Sequence, residues 1–155
     1  MAPYFQFETD FVTTLHCIPM IVRYKLDLCG IKLKLQHWQK LNRAQKEWLV
    51  FTPCDNPEAR HNYRTQLQTW VIELTGTPPA ALPIPDPLPW EEDTIPEVVI
   101  AQLQKLGQPV FSAAQWQQLS SLQRFALIKL SQPNHENRNF LPALREFNLL
   151  SQVNS

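Results

Sequence analysis

The sequence predicts an all-α fold built from two copies of a three-helix module joined by a proline-rich connector. Three observations lead there. Apolar residues recur at every third or fourth position, as on one face of a helix. The same Pro, Gly, Trp and Gln signals appear twice in the same order. Six of the fourteen prolines fall within residues 77–90, between the two sets.

The internal repeat is read residue by residue. Ile18-Pro19 matches Ile95-Pro96 at an offset of 77, as Val22 matches Val99, Leu26 matches Leu103 and Gly30 matches Gly107. One inserted residue raises the offset to 78, where Trp38-Gln39 matches Trp116-Gln117, Leu41 matches Leu119, Gln45 matches Gln123 and Leu49 matches Leu127. Asn56 and Glu58 likewise match Asn134 and Glu136. Apolar matches alone are shared by any two amphipathic helices; the ordered Pro, Gly, Trp and Gln matches with one gap are what favour duplication. The expected boundaries are 16–76 for copy one, 77–94 for the connector and 95–150 for copy two, within one domain of 155 residues.

Each element has a local reason. After Phe5 and Phe7, a short helix begins at Thr9-Asp10. Pro19 and Pro96 suit the first turn of a helix, where the missing N–H costs nothing. Ile18, Val22, Leu26 and Ile95, Val99, Leu103 form apolar stripes, and Gly30 and Gly107 sit where a left-handed C-terminal cap wants glycine. A short helix carrying Trp38 or Trp116 follows, with Ser112 and Gln115 capping it in copy two only. The capping boxes Asn42-Arg43-Ala44-Gln45 and Ser120-Ser121-Leu122-Gln123 then open helices near 44–51 and 122–130. Asn56-Pro57 opens a third helix, lined by Tyr63, Leu67, Trp70, Val71 and Leu74 and ended by Gly76. In copy two that run begins near Asn134, Pro142 kinks or restarts it, and Phe140, Leu144 and Phe147 face inward. The prolines of 77–90 argue against helix and sheet there, giving a stiff extended connector whose Leu82, Ile84, Leu88 and Trp90 lie along the protein.

Composition narrows the function. The 14 basic and 14 acidic residues cancel, so no electrostatic footprint for nucleic acid or anionic lipid is present. Residues 1–76 carry nine basic and seven acidic groups, and residues 97–155 five and three. The four acidic groups between them (Asp86, Glu91, Glu92, Asp93) have no basic counterpart. No apolar run reaches bilayer-spanning length, and Met1 to Phe5 lack the marks of a secretory signal. Three widely spaced cysteines, Cys17, Cys29 and Cys54, are no disulfide framework. A reducing cytoplasmic location is the expectation.

Catalytic motifs are missing. The three glycines, Gly30, Gly76 and Gly107, lie far apart, so no phosphate-cradling loop forms. Gly-x-Ser-x-Gly, Cys-x-x-Cys and His-Glu-x-x-His do not occur. The expectation is therefore a protein that is not an enzyme and needs no cofactor. His16, Cys17 and Cys29 are weak metal candidates, since their spacing fits no standard ligand pattern and buried cysteine behaves as a small hydrophobe. The densest polar stretch is Asn134-His135-Glu136-Asn137-Arg138-Asn139, which reads first as a solvated helix start. As a docking surface it would present His135 and Arg138 to a carboxylate, phosphate or backbone. The candidate partner-binding set is Arg124, Lys129, His135, Glu136, Asn137, Arg138, Asn139 and Trp90. Trp38 and Trp116, being equivalent, read as core, whereas Trp48 and Trp90 fit interface anchors.

Longer blocks carry a resemblance. Phe5-Gln6-Phe7-Glu8-x-Asp10-Phe11, Cys17-Ile18-Pro19-Met20-x-Val22-Arg23-Tyr24-Lys25-Leu26-Asp27, Cys29-Gly30-x-Lys32-Leu33, Gln123-Arg124-Phe125-Ala126-Leu127-Ile128-Lys129-Leu130-Ser131 and His135-Glu136-x-Arg138-Asn139-Phe140-x-Pro142-Ala143-Leu144 resemble the nitrate-reductase-associated protein family of cyanobacteria. The resemblance covers nearly the whole chain outside the connector. It implies a cytoplasmic accessory protein needed for active assimilatory nitrate reductase, an enzyme with a molybdenum cofactor and an iron–sulfur cluster. It transfers no catalytic residues. Three readings follow, in order of preference. The first is an interaction protein whose partner is nitrate reductase, without nucleic acid or membrane. The second is a carrier of a metal, cluster or molybdenum cofactor, with His16, Cys17, Cys29 and the His135 block as ligands. The third is a small enzyme around Arg124, Lys129, His135 and Glu136.

Overall fold

The computed structural model describes residues 3–132 and 137–150, the side chains of Phe11 and Asn137 excepted. Within these residues the chain is mainly helical, with one two-stranded sheet. A 3-10 turn at Gln6–Glu8 runs into α1 (Thr9–Val12), followed by α2 (Met20–Cys29), β1 (Ile31–Lys32), α3 (Leu35–Lys40), α4 (Arg43–Phe51), α5 (Pro57–Thr75) and β2 (Ala80–Ala81). A 3-10 turn at Pro89–Glu91 precedes α6 (Glu97–Lys105), α7 (Ala113–Gln118) and α8 (Ser121–Ser131); a further 3-10 turn at Asn137–Asn139 leads into α9 (Phe140–Glu146). The backbone packs as two compact units, residues 1–84 and 85–155.

In the first unit, α2 starts after Pro19, which is the N-cap rather than the first helical residue. Proline has no side-chain acceptor, and the buried Glu8 carboxylate takes that role, accepting from the Met20 N–H at 3.0 Å and from the Phe5 N–H at 3.1 Å. Gly30 ends the helix at φ +75°, the left-handed cap expected of it. Its Cα is also crowded: a Cβ would sit 2.9 Å from the Leu82 carbonyl oxygen. Asn42 and Gln45 form the expected capping box on α4, and Asn56 accepts from the Ala59 N–H with Pro57 opening α5. The core is Val22, Leu26, Trp38, Leu49, Tyr63, Leu67 and Val71.

The connector corrects one expectation. Ala80–Ala81 pair antiparallel with Ile31–Lys32, so a sheet does form among the prolines, and Pro89–Glu91 form a helical turn. The physical reason is local: Ala80 and Ala81 keep their N–H groups, and the Leu82 N–H extends the attachment to the Gly30 carbonyl at 2.8 Å.

In the second unit, Pro96 is again the N-cap, here of α6. Ser112 and Gln115 box the start of α7, and Ser120 and Gln123 that of α8. Pro142 falls in the first turn of α9, so the helix restarts rather than kinks. The expected start near Asn134 lies outside the described residues. Val99, Leu103, Trp116, Phe125, Leu127, Phe140 and Leu144 form the core, with Phe147 buried beside them.

Several details recur between the units. The Trp38 indole N–H donates to the Leu15 carbonyl and the Trp116 indole N–H to the Glu92 carbonyl, each at 2.9 Å. Lys46 lies over the Trp38 ring at 5.5 Å, and Arg124, at the matching position, over Trp116 at 5.4 Å.

Candidate functional site

The first unit contains a cleft of about 420 Å³ lined by Ile21, Tyr24, Lys25, Leu28, Pro53, Cys54, Asp55 and Arg60. Four of these come from α2 at helical spacing, three from the link between α4 and α5, and Arg60 from the first turns of α5. The link is held by what α4 lacks. Its C-cap, Thr52, is extended rather than left-handed, so no glycine closes its last turn. Instead the Thr52 N–H bonds the Trp48 carbonyl, the Tyr63 hydroxyl donates to the Leu49 carbonyl at 2.7 Å, and the Lys25 ammonium donates to the Val50 and Thr52 carbonyls at 2.7 and 2.6 Å. The carbonyls of Trp48, Leu49, Val50 and Thr52 at this helix end thereby find donors.

Lys25 is 7% exposed. Burial lowers its pKa, offset in part by nearby Cys54, Asp55 and Cys29. An ammonium has three donors; the two carbonyls use two, and the third has no protein acceptor among the described residues. Arg60 donates through Nε to the Cys54 carbonyl at 2.9 Å. Behind Cys54 lies Cys29, with 3.9 Å between the sulfurs, and the Cys29 thiol also points to the Arg60 carbonyl at 3.6 Å. Both thiols are buried and free. The Cys54 S–H favours a thiolate at Cys29 and so lowers the pKa of that thiol, whereas the same contact and burial push Cys54 up. The contact thus favours a single thiolate, at Cys29, with the proton kept on Cys54. Tyr63 is raised well above the usual tyrosine range by burial.

The second unit contains a guanidinium clamp. Arg124, 8% exposed, donates from Nε to the Trp116 carbonyl at 3.1 Å, from Nη1 to the carbonyls of Trp90 at 3.2 Å and Glu92 at 3.4 Å, and from Nη2 to the Gln117 carbonyl at 3.1 Å. Trp90, 4% exposed, packs edge-on against Phe125 at 5.1 Å. Lys129 is half-buried with its ammonium 5.6 Å from the Phe125 ring. Arg124, Trp90 and Lys129 therefore share one cluster, but Arg124 and Trp90 face inward and offer almost no surface to a partner. Arg138 is exposed in the 3-10 turn and Asn139 half-buried at the N-cap of α9. Asn137 lies in the same turn, and His135 and Glu136 are outside the described residues. Trp48 is half-buried, stacked on Tyr63 at 5.4 Å and edge-on to Trp70 at 5.2 Å.

Of the metal candidates, His16 is exposed and within 3.5 Å of the Gln39 amide, Cys17 is half-buried, and Cys29 pairs with Cys54 instead. No group of three or more His, Cys, Asp or Glu placed to hold a metal ion occurs among the described residues. The sequence did not single out Lys25 or Arg60 as site residues, and Tyr63 reads there only as lining the third helix. Lys25 did leave a signal: it falls on the buried stripe of α2, three residues after Val22 and four before Cys29.

Fold and site together define a small, mainly helical protein of two units with a cationic, thiol-bearing cleft. No helix among the described residues is long and apolar enough to cross a membrane. A family model described as conserved nitrate reductase-associated protein matches residues 4–147, and the chain belongs to that family. The resemblance carried by the sequence blocks is thereby confirmed. No curated protein and no solved structure matches the chain.

Proposed function

We propose that this chain is a non-catalytic cytoplasmic accessory protein that binds assimilatory nitrate reductase and is needed for its activity. The observation that carries the reading is the family match over residues 4–147, whose description names association with nitrate reductase. The neutral charge balance supports a protein partner over nucleic acid or membrane. The docking residues in this reading are His135, Glu136, Asn137, Arg138, Asn139 and Lys129, while the buried Arg124 and Trp90 stiffen the second unit. The test is co-purification of tagged chain with nitrate reductase, loaded with or stripped of its cofactors, at low salt. Retention of either form supports the reading, with loss of retention on Arg138→Glu; absence of both forms refutes it.

The duplication belongs to the same proposal. The matched indole-to-carbonyl bonds of Trp38 and Trp116, and the matched cations above them, support descent of residues 16–76 and 95–150 from one module, with the proline-rich segment as the join. Trp38→Phe and Trp116→Phe should then cost similar stability, each about 1–2 kcal/mol for the lost buried bond. A large inequality between them in denaturant unfolding argues against equivalent roles.

A further inference from the structure

We propose that Cys29 and Cys54 form a thiol–disulfide exchange site, and that the cleft in front of them admits a small disulfide bearing carboxylates, of the glutathione disulfide type. The proposal does not depend on association with nitrate reductase.

Four observations meet here. The two sulfurs are 3.9 Å apart and unbridged, although 25 residues separate them in sequence. That separation closes to bonding distance, about 2 Å, by side-chain rotation and a small shift of the link. Cys54 belongs to the connection between α4 and α5 rather than to a helix, so its backbone is not locked into a helical ladder. Cys54 forms part of the cleft wall, and Cys29 stands directly behind it. The cations on that wall, Lys25 and Arg60, outnumber its single carboxylate, Asp55. Lys25 keeps one N–H and Arg60 its terminal N–H groups without a protein acceptor among the described residues. A carboxylate entering the cleft finds charge-assisted donors there, and thiolates are favoured beside cations.

The chemistry balances in two exchanges. Cys54, the sulfur on the cleft wall, passes its proton to the Cys29 thiolate 3.9 Å away and attacks one sulfur of R–S–S–R. The Cys54–S–S–R bond forms, the reagent's S–S bond breaks, and the departing R–S⁻ takes from solvent the proton that Cys29 had released. The Cys29 thiolate then attacks the Cys54 sulfur of the mixed disulfide, expelling the second R–S⁻, which takes the proton from Cys29. Two electrons pass from the protein dithiol to the reagent, leaving an intrachain disulfide and two R–SH. Excess thiol reverses both steps.

The test uses the full folded chain with Cys17→Ser, which leaves only this pair. It is treated with glutathione disulfide or with neutral hydroxyethyl disulfide, each rate being normalised to the same chain in denaturant. The expected product is a Cys29–Cys54 link in peptide mapping, with a mass lower by two hydrogen atoms. Glutathione disulfide should hold an advantage of about tenfold, the size of one favourable charge contact. Arg60→Ala should remove most of that advantage and Arg60→Lys restore part of it, with circular dichroism confirming the fold. Cys29→Ser should stop at a mixed disulfide on Cys54. Thiols that react only in denaturant, or a mixed disulfide that persists on Cys54 while Cys29 is present, overturn the exchange site. Equal normalised rates for the two reagents on the Cys17→Ser chain overturn the cleft's role without requiring any Arg60 variant to fold.

Discussion

Replacing Arg124 by methionine keeps most of the aliphatic stem and removes the guanidinium. The side chain is 8% exposed and makes three carbonyl bonds of 3.1–3.2 Å and one longer bond of 3.4 Å. Bonds to a charged donor contribute about 1.5–3 kcal/mol each when measured singly, but four do not add. The buried charge carries its own desolvation cost, and the Trp116 carbonyl keeps a second donor in the Leu119 N–H at 3.1 Å. The net loss worked from these terms is about 3 kcal/mol, roughly a hundredfold in the folded-to-unfolded ratio. Arg124→Lys, with a point charge in place of the fork, should recover less than half of it. Urea unfolding followed by tryptophan fluorescence reads the shift as a lower midpoint. If Arg124→Met changes stability by under about 1 kcal/mol, the clamp is not structural. If the variant stays fully folded and loses only nitrate reductase, Arg124 belongs to the docking face after all.

Three further outcomes follow from the geometry. Gly30→Ala places a Cβ at 2.9 Å from the Leu82 carbonyl oxygen in a φ +75° backbone, whereas Gly76→Ala meets nothing within 4 Å at φ +84°. The first should cost about 2–3 kcal/mol and the second about 1 kcal/mol, and equal midpoints in urea would contradict the close approach. Tyr63, raised by burial, keeps its proton above pH 10 while the unfolded chain loses it near 10. The unfolded state then binds fewer protons, so stability is intact below pH 10 and falls above it. Tyr63→Phe should flatten that alkaline limb while costing about 1–2 kcal/mol at neutral pH, and an unchanged slope would remove Tyr63 as its source. Lys25→Met strips the donors from the Val50 and Thr52 carbonyls and should cost about 2 kcal/mol, with faster amide exchange in the last turn of α4. Unchanged exchange there would show that the ammonium is not its cap.

The legible parts of the fold were those with local chemistry. Asn56, Pro57 and Gly76 bracket α5 because capping, a missing N–H and a left-handed cap act within a few residues. The boxes at Asn42 and Ser120 work over four residues for the same reason. The site was less legible because it is assembled across distance. Nothing in linear spacing shows that the link after α4 folds back on the end of α2, so Cys29 and Cys54 read as unrelated. Arg124 read as a partner-binding candidate because the carbonyls that receive it, those of Trp90, Glu92, Trp116 and Gln117, are not adjacent to it in sequence. Ala80–Ala81 have no strand propensity of note; their pairing is dictated by Ile31–Lys32 and by the crowding at Gly30.

The Arg124 clamp also sets where the second unit can be cut. A fragment begun at Ile95, where sequence matching starts the repeat, contains every helix from α6 onward. It would lack the Trp90 and Glu92 carbonyls, stranding one arm of a buried guanidinium and the Trp116 indole N–H together. The natural cleavage point lies upstream of Trp90, inside the run of prolines. Trp90 to Glu92, which the sequence boundaries assign to the connector, are thus the first that a designer of truncated chains must keep.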